Sequence, residues 1–284
     1  MNKQKIKIVD TQFDHGKSFG TGDLQIPPTS FDWYRGNDNI NDLVVFTEDT
    51  IHTVDTYIEK YKIAFLLEAP CKKAKVYDLV KDPTFNSKFN CILTYDKRLI
   101  SLNPNKFKFY PFGGCWILPH EQKVYKKCKN FSIIASSKRS THGQRLRHDV
   151  INKCGNRLDG IFGNGYKFIE SKLEGLKDYR YSFIIENESV NCMFSEKLID
   201  CFMTGTIPIY YGCKGKIGDY FNINSIIQFN NINELPAVLE TCTEQFFNNN
   251  QESIQENFEL AKQYLIPEDY MWHYFKHYLE EQRG

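Results

Sequence analysis

Hydrophobic positions along this chain fall into short β-branched and aromatic runs, separated by longer stretches with helical spacing. In the first part the runs are KIKIVD (5–10), DLVVFTED (42–49), KIAFLLEA (62–69), NCILTYD (90–96) and KFKFYPF (106–112). Runs of this length bounded by turn-forming residues predict strands. Because they are nearly continuous rather than alternating, they predict strands covered on both faces, as in a parallel sheet between helices. A second series follows: FSIIASS (131–137), RLDGIFG (157–163), YSFIIEN (181–187), TIPIYYG (206–212) and SIIQF (225–229), each with a helical candidate after it. Between the two series lie the turn-rich GGCWILP (113–119) and the basic KVYKKCKN (123–130), where the linker is expected. The predicted division is a first domain over 1–127, a second over 128–265 and a C-terminal helix over 266–284 that packs back on the first domain. Pro267 opens that helix at a position where proline costs nothing. The predicted fold class is α/β, with two Rossmann-like domains facing a cleft and a ligand at the carboxyl ends of their strands.

The most informative unit is FSEKLIDCFMTGTIPIYYG (194–212). Ser195 suits a helix N-cap, Leu198, Ile199, Phe202 and Met203 supply a buried face, and Gly205 supplies the stop. Glu196 and Lys197 then stand at the mouth of an apolar helix, just after a strand ending in Glu186 and Asn187. A lysine at that end opposes the helix dipole unless an anion is present. An isolated Glu-Lys pair is ordinary surface chemistry, so it is the placement that makes these residues site candidates.

Composition narrows the classes. A chain of 284 residues accommodates two domains, and 41% hydrophobic with 25% charged residues describes a globular protein. With 36 basic and 35 acidic residues there is no overall field to attract nucleic acid or an anionic membrane, so any phosphate binding must be local. The nine cysteines are odd in number and contain no C-x-x-C, which speaks against a zinc site or a disulfide framework and for small buried hydrophobes. No apolar run reaches signal-peptide or membrane-span length, so a soluble, cytoplasmic protein without a transmembrane segment is expected. His273 and His277 share a helix face but lack an H-E-x-x-H or a third ligand, and GNG (163–165) reads as a strand-end turn.

Residues 179–212, YRYSFIIENESVNCMFSEKLIDCFMTGTIPIYYG, resemble the signature of the α1,3/4-fucosyltransferases, glycosyltransferase family 10. That signature is a strand ending in Phe-Glu-Asn, then Tyr-x-Thr-Glu-Lys, a small residue, Pro and an apolar strand leading to Gly. The resemblance reaches roughly from residue 62 to 265 and implies a GT-B arrangement of the two Rossmann-like domains. It implies that Glu196 holds the nucleotide ribose, that Lys197 meets the diphosphate, and that Asn187, with Glu186 and Ser195, completes the donor pocket. Met193 stands where the family has Tyr, and Ser195 where it has Thr. The family also carries an Arg in the first turn of the helix after FSIIASS, and Arg145 matches it; a guanidinium there suits bidentate phosphate contact. Lys138, Arg139 and Arg147 are nearby alternatives, though a solvated basic face explains them more readily. In the first domain IAFLLEAP ends on Glu68 and Pro70, like the family's Leu-Glu-Ser-Pro, whose Glu is thought to be the general base.

The implied activity is inverting, metal-independent transfer of fucose from GDP-fucose to a glycan hydroxyl, with the GDP-sugar as co-substrate and no other cofactor. The absence of any Asp-x-Asp agrees with diphosphate charge being met by protein cations. Met193 keeps two alternatives open: another GDP-sugar donor, or a non-catalytic nucleotide- or glycan-binding relative.

Overall fold

The computed structural model describes residues 3–13, 17–190, 193–214 and 216–281. Asn191 and Cys192, inside the signature stretch, lie outside the described residues. The chain divides into two compact units, Met1–Phe112 with Ile266–Gly284, and Gly113–Leu265.

The first unit is built on a six-stranded, all-parallel sheet in the order β2-β1-β3-β4-β5-β6. Its strands are β1 (Gln4–Val9), β2 (Phe31–Tyr34), β3 (Leu43–Thr47), β4 (Tyr61–Phe65), β5 (Cys91–Thr94) and β6 (Phe107–Phe109). Helices α1 (Ala74–Lys81), α2 (Pro83–Asn86), α3 (Lys97–Leu102) and α9 (Pro267–Glu281) belong to it. Every residue of β3 and β5 is buried, as the continuous apolar runs require of central strands. Strand β2 is not among the predicted runs: its four residues alternate buried and half-buried at the sheet edge, so only Phe31 and Trp33 face the core. After β3 the chain forms a 3₁₀ segment, Ile51–Thr56, and not the expected α-helix. In α9, Met271, Phe275 and Leu279 are buried, and the Phe275 ring lies edge-on to Phe31 and Trp33 at 5.5 and 5.9 Å.

The second unit carries a five-stranded parallel sheet, β11-β10-β9-β7-β8, formed by β7 (Lys129–Ile134), β8 (Gly160–Phe162), β9 (Tyr179–Ile185), β10 (Ile207–Tyr211) and β11 (Ile227–Gln228). Its helices are α4 (His142–Cys154), α5 (Glu196–Phe202), α6 (Leu235–Thr241), α7 (Glu244–Asn249) and α8 (Gln251–Ala261). The unit begins at Gly113, ahead of the expected residue 128, because Cys115 and Ile117 are buried in its core with Leu198 and Phe202. Gly113 has a φ of +57°, and a Cβ there would stand 2.6 Å from the Tyr264 carbonyl oxygen. Strand β8 is followed by a 3₁₀ turn, Lys172–Gly175, where a helix was expected. Among the described residues Cys71 and Cys128 are exposed and the other cysteines are buried. No helix there is long and apolar enough to cross a membrane.

Candidate functional site

The carboxyl end of β9 is where the predicted residues gather. Thr141 and Gln144 form a capping box on α4: the Thr141 side chain accepts from the Gln144 N–H at 3.2 Å, and Gln144 Oε1 accepts from the Thr141 N–H at 3.2 Å. The first turn then presses on the end of β9, with Gly143 N–H donating to Asn187 O at 3.0 Å. A Cβ on Gly143 would stand 1.7 Å from the Glu186 carbonyl oxygen, so only glycine permits this approach. One turn on, the buried Arg147 donates from Nε and Nη2 to Ile185 O at 3.0 and 2.5 Å and from Nη2 to Asn187 Oδ1 at 3.3 Å. Arg145 is exposed instead and donates to the carbonyls of Arg139 and Ser140 at 3.1 and 3.2 Å.

Helix α5 supplies the opposite wall. The fully buried Glu186 accepts from Ser195 N at 2.9 Å and from Ser195 Oγ at 2.7 Å, while Ser195 Oγ caps α5 by accepting from Lys197 N at 3.4 Å. Lys197 Nζ lies 3.0 Å from Glu196 Oε1 and 3.6 Å from Glu186 Oε2. Lys172, from the 3₁₀ turn after β8, reaches Asp200 Oδ2 at 2.9 Å and Glu196 Oε1 at 3.4 Å, and its ammonium sits 3.9 Å from the centre of the Trp116 ring. Burial drives the Glu196 carboxyl up, but Lys197 and Lys172 outweigh it and hold Glu196 well below the usual carboxylate range. Asp200 is pushed above its ordinary value by burial despite Lys172. Burial lowers Arg147, opposed by the charges of Glu186 and Glu196.

These groups line a cavity of about 110 Å³ bounded by Trp116, Ile134, Arg147, Lys172, Phe183, Glu196, Lys197 and Asp200. That is below the roughly 300–1,000 Å³ of pockets that enclose a small molecule, so it takes part of a ligand only. The structure thus brings together Glu186, Asn187, Ser195, Glu196 and Lys197, and adds Arg147, Lys172, Asp200 and Trp116, whereas Arg145 is not among the cavity walls. Asp200 was readable, four residues after Glu196 on one helix face. Lys172 comes from a turn that no periodicity announces. Met193 is buried, and its carbonyl accepts from Tyr210 Oη at 2.9 Å.

In the first unit, Glu68 lies beyond the carboxyl end of β4 with its side chain 37% exposed and ion-paired to Lys72 at 2.9 Å. It lines a pocket of about 390 Å³ with Gln12, Phe13, Phe19, Asp49, Lys73 and Phe112. Beneath it Glu48 is buried and accepts from the backbone N–H groups of Leu67 and Glu68, the latter at 3.0 Å. Glu48 follows β3 as Glu68 follows β4, so the strand-end rule that singles out Glu68 applies to it as well. A larger crevice of about 500 Å³ in this unit holds none of the predicted residues; there Lys7 pairs with Glu59 and Arg35 with Asp10, each at 2.7 Å. His273 Nδ1 contacts Tyr270 O at 2.6 Å and His277 faces Glu281 at 3.3 Å. Among the described residues no cluster of three His, Cys, Asp or Glu side chains is placed to hold a metal.

No family model and no curated protein matches this sequence. Solved structures do. An α1,3-fucosyltransferase with GDP-fucose superposes with a TM-score of 0.55 at 15% identity, over 93% of this chain and 90% of that one. The pneumococcal O-GlcNAc transferase GtfA with UDP and GlcNAc gives 0.56 at 12% identity, over 86% of this chain and 57% of that one. OtsA gives 0.51 at 11%, over 84% and 73%. The fold is that of the GT-B glycosyltransferases. In a GT-B chain the carboxyl ends of parallel strands are the expected place for ligands, and both carboxylate-bearing pockets described above lie there.

Proposed function

We propose that this chain is an inverting glycosyltransferase that moves a sugar, most simply fucose, from its GDP-linked form to a glycan hydroxyl. The observation that carries the reading is Glu196, a largely buried carboxylate held ionised by Lys197 and Lys172 beside a cavity. Such a group only accepts hydrogen bonds, which suits it to the paired hydroxyls of a ribose. The fold it sits in is shared with an α1,3-fucosyltransferase solved with GDP-fucose. On entry of a diphosphate, Lys197 exchanges its carboxylate contacts for phosphate oxygens, and Arg147 takes the role that resemblance gives to Arg145. Glu68 removes the proton from the acceptor hydroxyl as that oxygen bonds to the anomeric carbon. The carbon–oxygen bond to the diphosphate breaks, its electron pair leaves with GDP, and the anomeric centre inverts.

A second reading, a nucleotide- or glycan-binding relative without turnover, is favoured by the balance of the site. The cations Arg147, Lys172 and Lys197 are matched by the carboxylates Glu186, Glu196 and Asp200. Incubation with GDP-fucose and other GDP-sugars, with simple galactosides as acceptors, separates the two. GDP release with glycoside formation supports the transferase; saturable binding without release on any donor supports the binding protein, and absence of both removes the GDP-sugar reading.

A further inference from the structure

The crevice of about 500 Å³ in the first unit lies where the fold leaves its sheet thinly covered. Crossover helices ordinarily pack on both faces of a parallel sheet. Here residues 35–42, between β2 and β3, run as bends and irregular chain, and the connection from β3 to β4 forms the 3₁₀ segment Ile51–Thr56 in place of an α-helix. Both connections line the crevice beside β1, the first through Arg35, Asn37 and Asn39, the second through Thr56, Tyr57 and Glu59. Lys7 of β1 is buried there, and its ammonium donates to Glu59 Oε1 at 2.7 Å and to Asn37 O at 3.3 Å. A buried charge persists only when it is paired in this way. Asp10 accepts from Arg35 Nε at 3.0 Å. The side chains of Asp10 and Glu59 are 0 and 1% exposed, whereas Arg35 is 24% exposed and Asn37, Asn39 and Thr56 stand in the open. What a ligand can reach is therefore guanidinium, amide and hydroxyl, flanked by Tyr57 and by Ile58, which is 87% exposed.

We propose that this crevice is a subsite for a neutral sugar unit of a glycan whose reacting hydroxyl lies at Glu68, with Arg35, Asn37 and Asn39 hydrogen-bonding the hydroxyls of that unit. The proposal rests on the reading of Glu68 as a base acting on a glycan hydroxyl. Charge decides the ligand class. Lys7 and Arg35 are each matched by a carboxylate, so an anion meets no net charge, and the carboxylates are out of reach, so a metal ion meets no ligand. Amide and guanidinium groups suit sugar hydroxyls, which donate and accept at once. The volume falls within the roughly 300–1,000 Å³ of pockets that hold small molecules. Position joins the crevice to the Glu68 pocket: Val9 and Asp10 line the first, Gln12 and Phe13 the second. Asp10 Oδ1 accepts from the N–H groups of Gln12 and Phe13 at 3.0 and 2.9 Å, which fixes the turn between the two. Arg35 bridges that turn, donating from Nη2 to Phe13 O at 2.6 Å with its guanidinium 4.9 Å from the centre of the Phe13 ring. A single sugar occupies one pocket only, so the acceptor this arrangement selects is an oligosaccharide.

The test uses the full chain, with lactose and N-acetyllactosamine as short glycans, the tetrasaccharide lacto-N-neotetraose as the long one and 3′-sialyllactose as the charged one. NMR titration gives the Kd of each, and initial rates with GDP-fucose give each KM. The wild type should prefer the tetrasaccharide to N-acetyllactosamine. Asn37→Ala combined with Asn39→Ala should weaken the tetrasaccharide about 5- to 30-fold, the usual value of one to two neutral hydrogen bonds, so that the preference disappears. Where that double variant does not fold by circular dichroism, Thr56→Tyr narrows the same crevice from its other side. In Glu68→Gln the preference should persist in binding, which is read without turnover. A preference in binding that depends on Asn37 and Asn39, without GDP release by the wild type, keeps the subsite and removes the transferase reading. Turnover with no preference for the tetrasaccharide, or with a preference that these substitutions leave intact, overturns the subsite and leaves the transferase standing. Binding of 3′-sialyllactose tighter than that of lactose and lost in the same variants overturns the neutral class. Absence of binding of any of these glycans by the wild type overturns the subsite.

Discussion

Arg145 and Arg147 are two residues apart on α4, hence about 200° apart around it, and cannot serve the same face. Leu146, Arg147, Val150 and Cys154 are buried and Arg145 and Asp149 exposed, so the 3.6-residue period alone sorts the two guanidinium groups. Arg147→Met should therefore weaken GDP binding at least about 10-fold in calorimetric titration, and Arg145→Met by less than about 3-fold, since only the first removes a charge from the cavity wall. Equal losses would place both guanidinium groups at the site. Lys197→Ala should weaken GDP in the same way, because Lys197 stands at the cavity with both its carboxylate partners. For Glu68→Gln the expectation is a kcat lower by about 10²- to 10⁴-fold with the Kd for GDP nearly unchanged. Near-full turnover in that variant would place the base elsewhere.

At the scale of elements, what the sequence disclosed was whatever depends on local pattern. Among the described residues ten of the eleven strands lie on apolar runs, and Ser195 and Gly205 bracket α5 as N-cap and stop because capping chemistry is local. Strand β2 escaped because a four-residue edge strand shows two inward residues only, too few to establish a period. Lys172 was hidden for another reason: it meets its carboxylate partners across 24 and 28 residues of chain, from a turn whose path no propensity encodes. Gly143 is intermediate, visible as a residue, while its role needs the 1.7 Å approach to the Glu186 carbonyl. Gly143→Ala must push α4 off the end of β9, breaking the Gly143–Asn187 hydrogen bond and moving Arg147. We expect a loss of more than about 2 kcal/mol in denaturant unfolding together with weakened GDP binding. Thr141→Ala, which removes the cap but not the fit, should cost about 1 kcal/mol and leave GDP affinity within a few-fold.

At the scale of the whole molecule, the chain leaves the first unit after Phe112 and returns to it at Ile266, and the returning helix is fastened by a buried acid. Glu268 is fully buried at the start of α9 and accepts from Ser18 Oγ at 2.5 Å, Phe19 N at 2.8 Å and Trp33 Nε1 at 3.4 Å. Burial pushes its carboxyl up to about 7, with those hydrogen bonds pulling the other way. A carboxyl whose folded value is raised binds its proton more tightly in the native state than in the unfolded chain. Its contribution is therefore complete below about pH 4.5, the unfolded value, and is lost as the pH rises through 7. Each tenfold gain in proton affinity is worth about 1.4 kcal/mol, so the loss is of order 3 kcal/mol for a group this deeply buried. Glu268→Gln cannot titrate, so the difference in unfolding free energy between wild type and variant should slope downward from pH 5 to 8, against the wild type. Urea titrations read by tryptophan fluorescence, to which Trp33 and Trp272 of the first unit contribute two of the three residues, measure that difference. A difference independent of pH would mean that Glu268 stays ionised throughout, its three donors outweighing its burial.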